Sequence, residues 1–344
     1  MAKPVLFLLH GMGKHPAGWS GEVERKLTEI GRRYPSVEGD LARQFDLQEI
    51  AYDDVFESQL ERLEEDVATL KASSLFPAVE DAVDWLDGAT QGGFLWTHAA
   101  DVVFYLSRHV RNAVVSKVAA AMARTIAEKN DGTTKFHILA HSLGTSVATE
   151  AVAALADPIP AVGWAGLPSG FRFGEVLMIA NVSRLLQRAE AKAYGSRLLP
   201  QVSPGGRLAT NYWNFAHRFD PIPRLRQFDF QTVSVSGYRS LTKLEHFYER
   251  NIHSLLHYLE HPLVHGPVVR IPRLGNLHHL LWKQAADEYF DDAAKRFGGE
   301  FSTVAEVVAL RDEIESRQPG HPEDKDLLIP NLEKVLDTLK EVLM

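Results

Sequence analysis

The sequence predicts an α/β fold with a mostly parallel central sheet flanked by helices. The chain has 344 residues, long enough for one large domain with insertions or for two domains. Short apolar runs typical of buried strands alternate with longer segments whose apolar residues recur at helical spacing. Chains that alternate strands and helices in this way place the strands in a parallel sheet between two helical layers.

The composition excludes several classes of partner and of catalytic chemistry. A net charge of −8 argues against nucleic acid or an anionic membrane surface as a partner. The chain contains no cysteine, which excludes disulfides, thiolate catalysis and sulfur-ligated metals. No apolar stretch is long enough to span a bilayer, and the first apolar run is too short for a secretory signal. The default expectation is a cytoplasmic protein that needs no cofactor.

The first elements follow in order from the N-terminus. Residues 5–9 form a buried strand, and the sequence His-Gly-Met-Gly at 10–13 turns the backbone directly after it. Helical spacing of apolar residues predicts a helix at 21–33, and a second strand follows at 45–52. Residues 55–70 have the pattern of a charged amphipathic helix, whose charged side chains form a solvated face.

The next segment differs from the core in composition. Residues 71–97 combine large apolar side chains with a glycine-rich stretch at 88–93, which suits a mobile lid over an acyl pocket. An inserted helix pair packed on the core explains the same pattern equally well. We therefore expect a helical insertion at about 56–100, with a long helix over 99–129 behind it. Residues 156–173, rich in proline and glycine, are a second candidate cap segment.

The most informative stretch is residues 136–148, where a strand, a sharp bend and a helix of small residues follow one another. Ser142 stands at the apex of Ala140-His141-Ser142-Leu143-Gly144, close to the Gly-x-Ser-x-Gly pattern that lifts a serine hydroxyl above a sheet. Only small neighbours let the strand and the helix pass that closely, and Ala140 is still small enough. The alternative is a helix capped by an ordinary serine.

A candidate acid follows the strand predicted at 211–217. Asp220 precedes Pro221-Ile222-Pro223, and proline biases the preceding residue to extended geometry, which stiffens the loop. A rigid carboxylate at the carboxyl end of a strand can orient a histidine. The alternative is a surface Asp-Pro turn, which is common in loops.

A candidate base comes from the histidines beyond a strand-like pattern at 231–236. His253 is preferred because it lies just before a predicted helix at 254–260, where a loop would present its ring; His246 is the second choice. Four histidines also recur every four residues, a spacing that can bind zinc. No glutamate accompanies them at the metalloprotease position, so no metal is predicted. These four are His253, His257, His261 and His265.

The order Ser, Asp, His along the chain resembles the α/β-hydrolase superfamily, especially its lipases and esterases. The resemblance covers residues 4–13, 135–155, 175–182 and 212–268. It implies a nucleophile at Ser142, an acid at Asp220 and a base at His253. It also implies an oxyanion hole formed by the backbone N–H groups of Met12 and Leu143, and substrate contacts from His10, Gly11, Gly13 and His141.

These expectations define a serine esterase or lipase acting on lipid or other small ester substrates through an acyl-enzyme. An acyltransferase or thioesterase with the same serine, or a catalytically silent binding protein of this fold, are the alternatives. The hydrolase domain is expected at 1–275, followed by a helical C-terminal extension at 276–344. The apolar stripe of the last helix most simply packs on the same chain, and a homodimer contact is the alternative.

Overall fold

The computed structural model describes a central sheet and helices that pack around it. It does not describe the lid segment at 71–97, the strand expected at 231–236, the extension at 276–344, Met12, His246 or the greater part of the helix expected at 55–70, so the predictions for them stay predictions. The described residues are 2–11, 13, 15–34, 37, 39–58, 105, 108–186, 198–199, 208–218, 220–228, 237–244 and 251–273.

Within the described residues the sheet has six strands, all parallel, in the order β2-β1-β3-β4-β5-β6. A mostly parallel central sheet is what the alternation of strand and helix patterns predicts. The two edge strands are β2 and β6, and the strands with the longest apolar runs lie in the centre. The bounds are β1 Val5–Leu9, β2 Asp46–Ile50, β3 Phe136–His141, β4 Phe173–Ile179, β5 Ala209–His217 and β6 Tyr238–Leu244.

Side chains of the central strands alternate between two hydrophobic clusters, one on each face of the sheet. In β1, Phe7 and Leu9 point into one cluster, whereas Leu6 and Leu8 point into the other. The same alternation continues through β3 and β4. Because both faces are buried, these strands are apolar at nearly every position, which explains their continuous hydrophobic runs.

Helices cover both faces. The first cluster packs under α2 and α3, and the second under α1, α5 and α6. The helix predicted at 21–33 is confirmed almost residue for residue. The bounds are α1 Ser20–Arg32, α2 Arg108–Lys129, α3 Leu143–Leu155, α4 Pro221–Leu225, α5 Leu255–Glu260 and α6 Pro262–Arg270. No helix within the described ranges has the length and apolar composition that crossing a bilayer requires.

The chain reverses its direction of travel across the sheet between β1 and β3. From β1 it passes outward to β2, returns to the other side of β1 as β3, and then proceeds steadily to β6. At such a switch point the loops after the two strands diverge and leave a crevice at the carboxyl ends of the strands. The loop that begins at His10 and the bend at Ser142 border this crevice.

A buried ion pair fixes α5 against α1. Glu260, at the end of α5, bonds to Lys26 at 3.1 Å and to Arg33, and it is 2% exposed. Burial alone would raise the pKa of Glu260, but hydrogen bonds and charge from the two cations outweigh it and lower the pKa to about 2. The loop that precedes α5 carries His253, so this pair helps to fix the position of that loop.

Candidate active site

Ser142 occupies a strained bend between β3 and α3. Its backbone dihedrals are φ 51° and ψ −123°, a region that residues with a Cβ rarely enter. Among the described residues only Ala180, after β4, is another non-glycine residue with positive φ. Such strain persists only where the surrounding structure imposes it, and it clusters at functional sites.

Hydrogen bonds and close packing hold the bend. The backbone N–H of Ser142 donates to the carbonyl of Ile179 at 2.9 Å, which ties the bend to β4. The Thr145 hydroxyl donates to the Ser142 carbonyl at 2.7 Å. At Gly144 a Cβ would stand 2.3 Å from the carbonyl oxygen of His10, so only glycine lets α3 begin this close to the end of β1.

The structure brings Ser142, His253 and Asp220 together, and we call these three residues the triad. Nε2 of His253 lies 2.9 Å from Oγ of Ser142, and Nδ1 of His253 lies 2.7 Å from Oδ2 of Asp220. A carboxylate only accepts hydrogen bonds, so Nδ1 carries the proton and Nε2 is left to accept one from the serine. All three side chains are buried, at 1%, 5% and 0% exposure respectively.

Asp220 is held by groups other than His253. It caps α4, where its Oδ1 accepts the backbone N–H of Ile222 at 3.1 Å. The Tyr258 hydroxyl donates to Oδ2 at 2.8 Å, and the same hydroxyl accepts the backbone N–H of His217 at 2.8 Å. Burial, followed by the charge of Asp220, raises the pKa of Tyr258 well above its usual value, so the phenol remains a donor.

The His253 ring is positioned through its own backbone. The backbone N–H of His253 donates to Oδ1 of Asn251 at 3.2 Å, and the backbone carbonyl of His253 accepts a hydrogen bond from Nε2 of His141 at 2.7 Å. Burial, and then the neighbouring His253 ring, lower the pKa of His141 well below its usual value. Neutral His141 therefore links the residue before the serine to the loop that carries the histidine.

Leu143 supplies the first backbone N–H of α3, directly beyond the serine. The first N–H groups of a helix have no partner within it, and the helix dipole makes that end favourable for a developing negative charge. Met12, the other predicted donor, lies outside the described residues. Gly11 approaches the bend so closely that a Cβ there would stand 3.0 Å from Cβ of Ser142.

A cavity of about 220 Å³ opens beside Ser142. Three of the predicted substrate contacts, His10, Gly11 and His141, line it; Gly13 does not, and its carbonyl lies 2.9 Å from Nδ1 of His15. The described lining mixes rings and polar groups with a few aliphatic side chains. It comprises His10, Gly11, His15, Trp19, Glu22, Val23, His141, Ser142, Asn251, His253, Ser254, Leu255 and Leu256.

His10 lies in a stack of aromatic rings at one wall of this cavity. Its ring stacks on those of Tyr52 and His15, with centroids 4.0 and 4.2 Å away, and Trp19 meets it edge-on. Burial is the main cause that lowers the pKa of His10 to about 4, although the nearby carboxylate of Asp53 opposes this effect. His10 is therefore neutral at pH 7.

The histidines that recur every four residues in the sequence make different contacts in the structure. His253 belongs to the triad, whereas His265 lies in α6 and bonds through Nε2 to the Tyr34 hydroxyl at 2.5 Å and through Nδ1 to the Leu259 carbonyl at 2.7 Å. The helix does end before Pro262, as predicted, but that proline also starts α6. Among the described residues, the group with metal-binding spacing lies elsewhere, at His10, His15 and Asp53.

Sequence reasoning missed several residues of the site. Tyr258 lies on an apolar helix face, where a tyrosine is indistinguishable from a core residue. Asn251 was not predicted as a site residue. The signal that could have identified it is its position, because the side chain of an asparagine can accept the backbone N–H of the residue two positions later. The segment at 156–173, a candidate cap, packs Trp164 into the core, and none of its residues lines the cavity.

Comparisons with known protein families, with curated proteins and with solved structures found no match to this chain.

Proposed function

We propose that the protein is a serine hydrolase of the α/β-hydrolase fold that cleaves carboxylic esters through an acyl-enzyme. The observation that carries the proposal is the unbroken hydrogen-bond chain from Ser142 through His253 to Asp220 at the wall of a cavity. A serine oriented in this way by a histidine and a buried carboxylate is the arrangement that activates a hydroxyl for acyl transfer.

The topology supports the same proposal. Ser142 follows β3, Asp220 follows β5 and His253 lies beyond β6, so the three groups come from the carboxyl ends of parallel strands in the order Ser, Asp, His. That order is typical of α/β-hydrolases, and the positive φ of Ser142 fits the nucleophile bend of that fold.

The chemistry follows from the tautomer of His253. Nε2 takes the proton of Ser142 as Oγ forms a bond to the ester carbonyl carbon, and Asp220 stabilises the resulting imidazolium. The backbone N–H of Leu143 stabilises the carbonyl oxygen as it becomes negative, an effect worth about 3 kcal/mol per donor. The imidazolium then protonates the leaving alcohol, and water, deprotonated by His253, hydrolyses the acyl-enzyme.

The side chains described at the cavity wall indicate which kind of ester the site would accept. Trp19, Val23 and Leu255 offer apolar surface, while Glu22 and Asn251 add polar groups. Such a lining accommodates an ester with an apolar acyl group of modest size. A panel of p-nitrophenyl esters of rising acyl length, assayed with and without detergent, measures the preference directly.

The first test removes the nucleophile. Ser142→Ala is expected to lower kcat by on the order of 10⁶ and to abolish covalent labelling by a fluorophosphonate. Ser146→Ala is the matched control, because Ser146 lies on α3, is 2% exposed, and its hydroxyl has no partner among the described residues. Persistent labelling of the Ser142→Ala protein would remove Ser142 from this role.

The second test concerns the base. His253→Ala is expected to reduce labelling and turnover together, because no other group within the described residues lies in position to accept the serine proton. His246→Ala serves as its comparison and should keep the parent activity. Full activity in His253→Ala with loss in His246→Ala would reassign the base.

A third measurement separates hydrolysis from transfer. If water is the natural acceptor, added alcohols or thiols should divert only a minor share of the acyl-enzyme, measured as the ratio of transfer product to acid. Preferential transfer would favour the acyltransferase or thioesterase alternative with the same Ser142.

A further inference from the structure

Three side chains beside the cavity form a compact group outside the triad. His10 follows β1, His15 lies five residues further along the same loop, and Asp53 follows β2. Each offers one ligand atom, and these atoms all lie within 4.8 Å of one another. We call this group the His10–His15–Asp53 cluster. His10 is 1% exposed, Asp53 16% and His15 27%, so the cluster is open on the side of His15.

The His10 ring is oriented as a metal-binding histidine is. Its Nδ1 lies 2.8 Å from the Gly11 carbonyl, which only accepts, so Nδ1 carries the proton and Nε2 has a lone pair. A ligating histidine in proteins usually donates its other ring N–H to a backbone carbonyl or carboxylate in this way. Stacking on Tyr52 keeps the ring in that orientation.

Nε2 of His10 faces an oxygen rather than a donor. It is fully buried and makes no hydrogen bond with any described residue, yet it lies 3.3 Å from Oδ1 of Asp53. The other oxygen of that carboxylate accepts the backbone N–H of His15 at 2.5 Å, which fixes its direction. Two groups that both lack a donor, the Nε2 lone pair of His10 and the Oδ1 atom of Asp53, therefore face each other. A cation placed between them would interact favourably with both.

We propose that the His10–His15–Asp53 cluster binds one divalent transition-metal ion of the Zn²⁺ class. Two imidazoles and one carboxylate are ligands that Zn²⁺ takes readily, and three protein ligands leave a position open to water or substrate. Tetrahedral ligands 2.0–2.1 Å from zinc lie about 3.3 Å apart, so the His15 ring must close on the ion. His15 is the most exposed member of the cluster, at 27%, so it is the residue expected to move.

The proposed ion would lie at the cavity wall. His10 and His15 line the same cavity as Ser142, but none of the three cluster residues belongs to the triad. Metal binding at the cluster therefore does not depend on the proposed hydrolase activity, and the two can fail separately.

The experiment uses the full-length chain after treatment with a chelator. Titration with Zn²⁺ alone in a calorimeter is expected to give one equivalent bound, and Co²⁺ should give the visible absorption of a tetrahedral site. Asp53→Asn and His15→Gln should each weaken Zn²⁺ binding at least about tenfold. Even residues that only hydrogen-bond to a metal ligand contribute that much to metal affinity. Both substitutions keep a polar side chain of similar size.

His109→Gln is the matched control, because His109 is exposed on α2 and is not a member of the cluster; the Zn²⁺ affinity of this variant should equal that of the parent. Circular dichroism of each variant checks that it folds. No Zn²⁺ binding by the parent chain would overturn the proposal. One equivalent retained by the folded Asp53→Asn/His15→Gln double variant would equally overturn it.

Discussion

Among the described residues, the Asp220 carboxylate accepts hydrogen bonds from three donors, which are the His253 ring, the Tyr258 hydroxyl and the Ile222 backbone. Tyr258 is the donor whose geometry is the most constrained, because its oxygen also accepts the His217 N–H and its proton must then point to Asp220. A buried charge-assisted bond of this kind is stronger than a neutral one. Tyr258 is thus a positioning residue that acts through Asp220.

Tyr258→Phe is expected to lower kcat about tenfold with KM unchanged, since a hydrogen bond to a charged group contributes about 1.5 kcal/mol or more. Tyr212→Phe is the matched control, because Tyr212 is also fully buried but bonds to Asn181. Steady-state kinetics on a chromogenic ester measure both variants. An unchanged kcat in Tyr258→Phe would show that the other donors hold Asp220 alone.

At the scale of single residues, the sequence predicts those that belong to a recognisable motif. Ser142 is identified by small neighbours and a strand before it, and Asp220 by the proline after it. Asp53 could not be identified as a partner of His10, because the two are separated by 43 positions and no local pattern links them. Contacts of that kind are created by strand pairing, here between β1 and β2.

Among the elements, the tightest approach joins the end of β1 to the start of α3. The backbone of Gly144 passes so close to the Leu9 and His10 carbonyls that a Cβ would stand 2.8 and 2.3 Å from their oxygens. Both contacts are with backbone atoms, which have little freedom to move away. Helix α3 can therefore start beside the serine only with glycine at this position.

Gly144→Ala is expected to lower the free energy of unfolding by about 1–3 kcal/mol, as overpacking of a filled core does, and to reduce activity by moving Ser142. Gly21→Ala is the matched control, because a Cβ at Gly21 of α1 meets nothing within 4 Å. It should leave stability equal or slightly raised, since alanine favours helix. Urea unfolding compares the two, and an unchanged midpoint in Gly144→Ala would contradict the close approach.

Elements with clear periodicity were predictable, and one edge strand was not. The strand expected at 45–52 is β2 at Asp46–Ile50, and that expected at 211–217 is β5 at Ala209–His217. Strand β6, Tyr238–Leu244, was not predicted. Most of its residues are partly exposed, so the strand lacks the apolar run that marks a central strand. Its neighbour β5 fixes it through pairing, which sequence periodicity does not report.

The molecule as a whole contains buried histidines that stay neutral. Burial is the main cause that lowers the pKa of His137 and of His265 to about 4. Both are below the ordinary value of 6.5, so the unfolded chain binds protons between pH 6.5 and 4 that the folded chain does not. The contribution of these two histidines to stability is complete above pH 6.5 and is lost progressively as the pH drops through this window.

Acidification from pH 7 to 5 is therefore expected to lower the free energy of unfolding by up to about 1.4 kcal/mol per pH unit for each such histidine. His137→Gln should give a shallower pH slope, whereas the exposed His109→Gln should keep the parent slope. Urea midpoints measured at intervals from pH 5 to 8 provide the slopes. Identical slopes in all three proteins would rule out His137 as a contributor.

The fold class was predictable because strand and helix patterns alternate along the chain, but the strand order was not. Placing β3 beside β1 rather than beside β2 is a choice among long-range pairings. The same limit applied to the candidate base, since several histidines follow β6 in sequence and only the three-dimensional arrangement places the His253 ring against Ser142.

The reversal of strand order between β1 and β3 has a consequence for how this protein can diversify. The sheet is built from strand residues, whereas the hollow beside Ser142 is walled largely by the connections after β1, β3 and β6. Residues of those connections that belong neither to the triad nor to the bend at Ser142 take no part in strand pairing, so they can be exchanged without altering the sheet. Selection for a new substrate can therefore act on those loop residues alone, and a library randomised only there should yield new preferences while its members retain the parental scaffold.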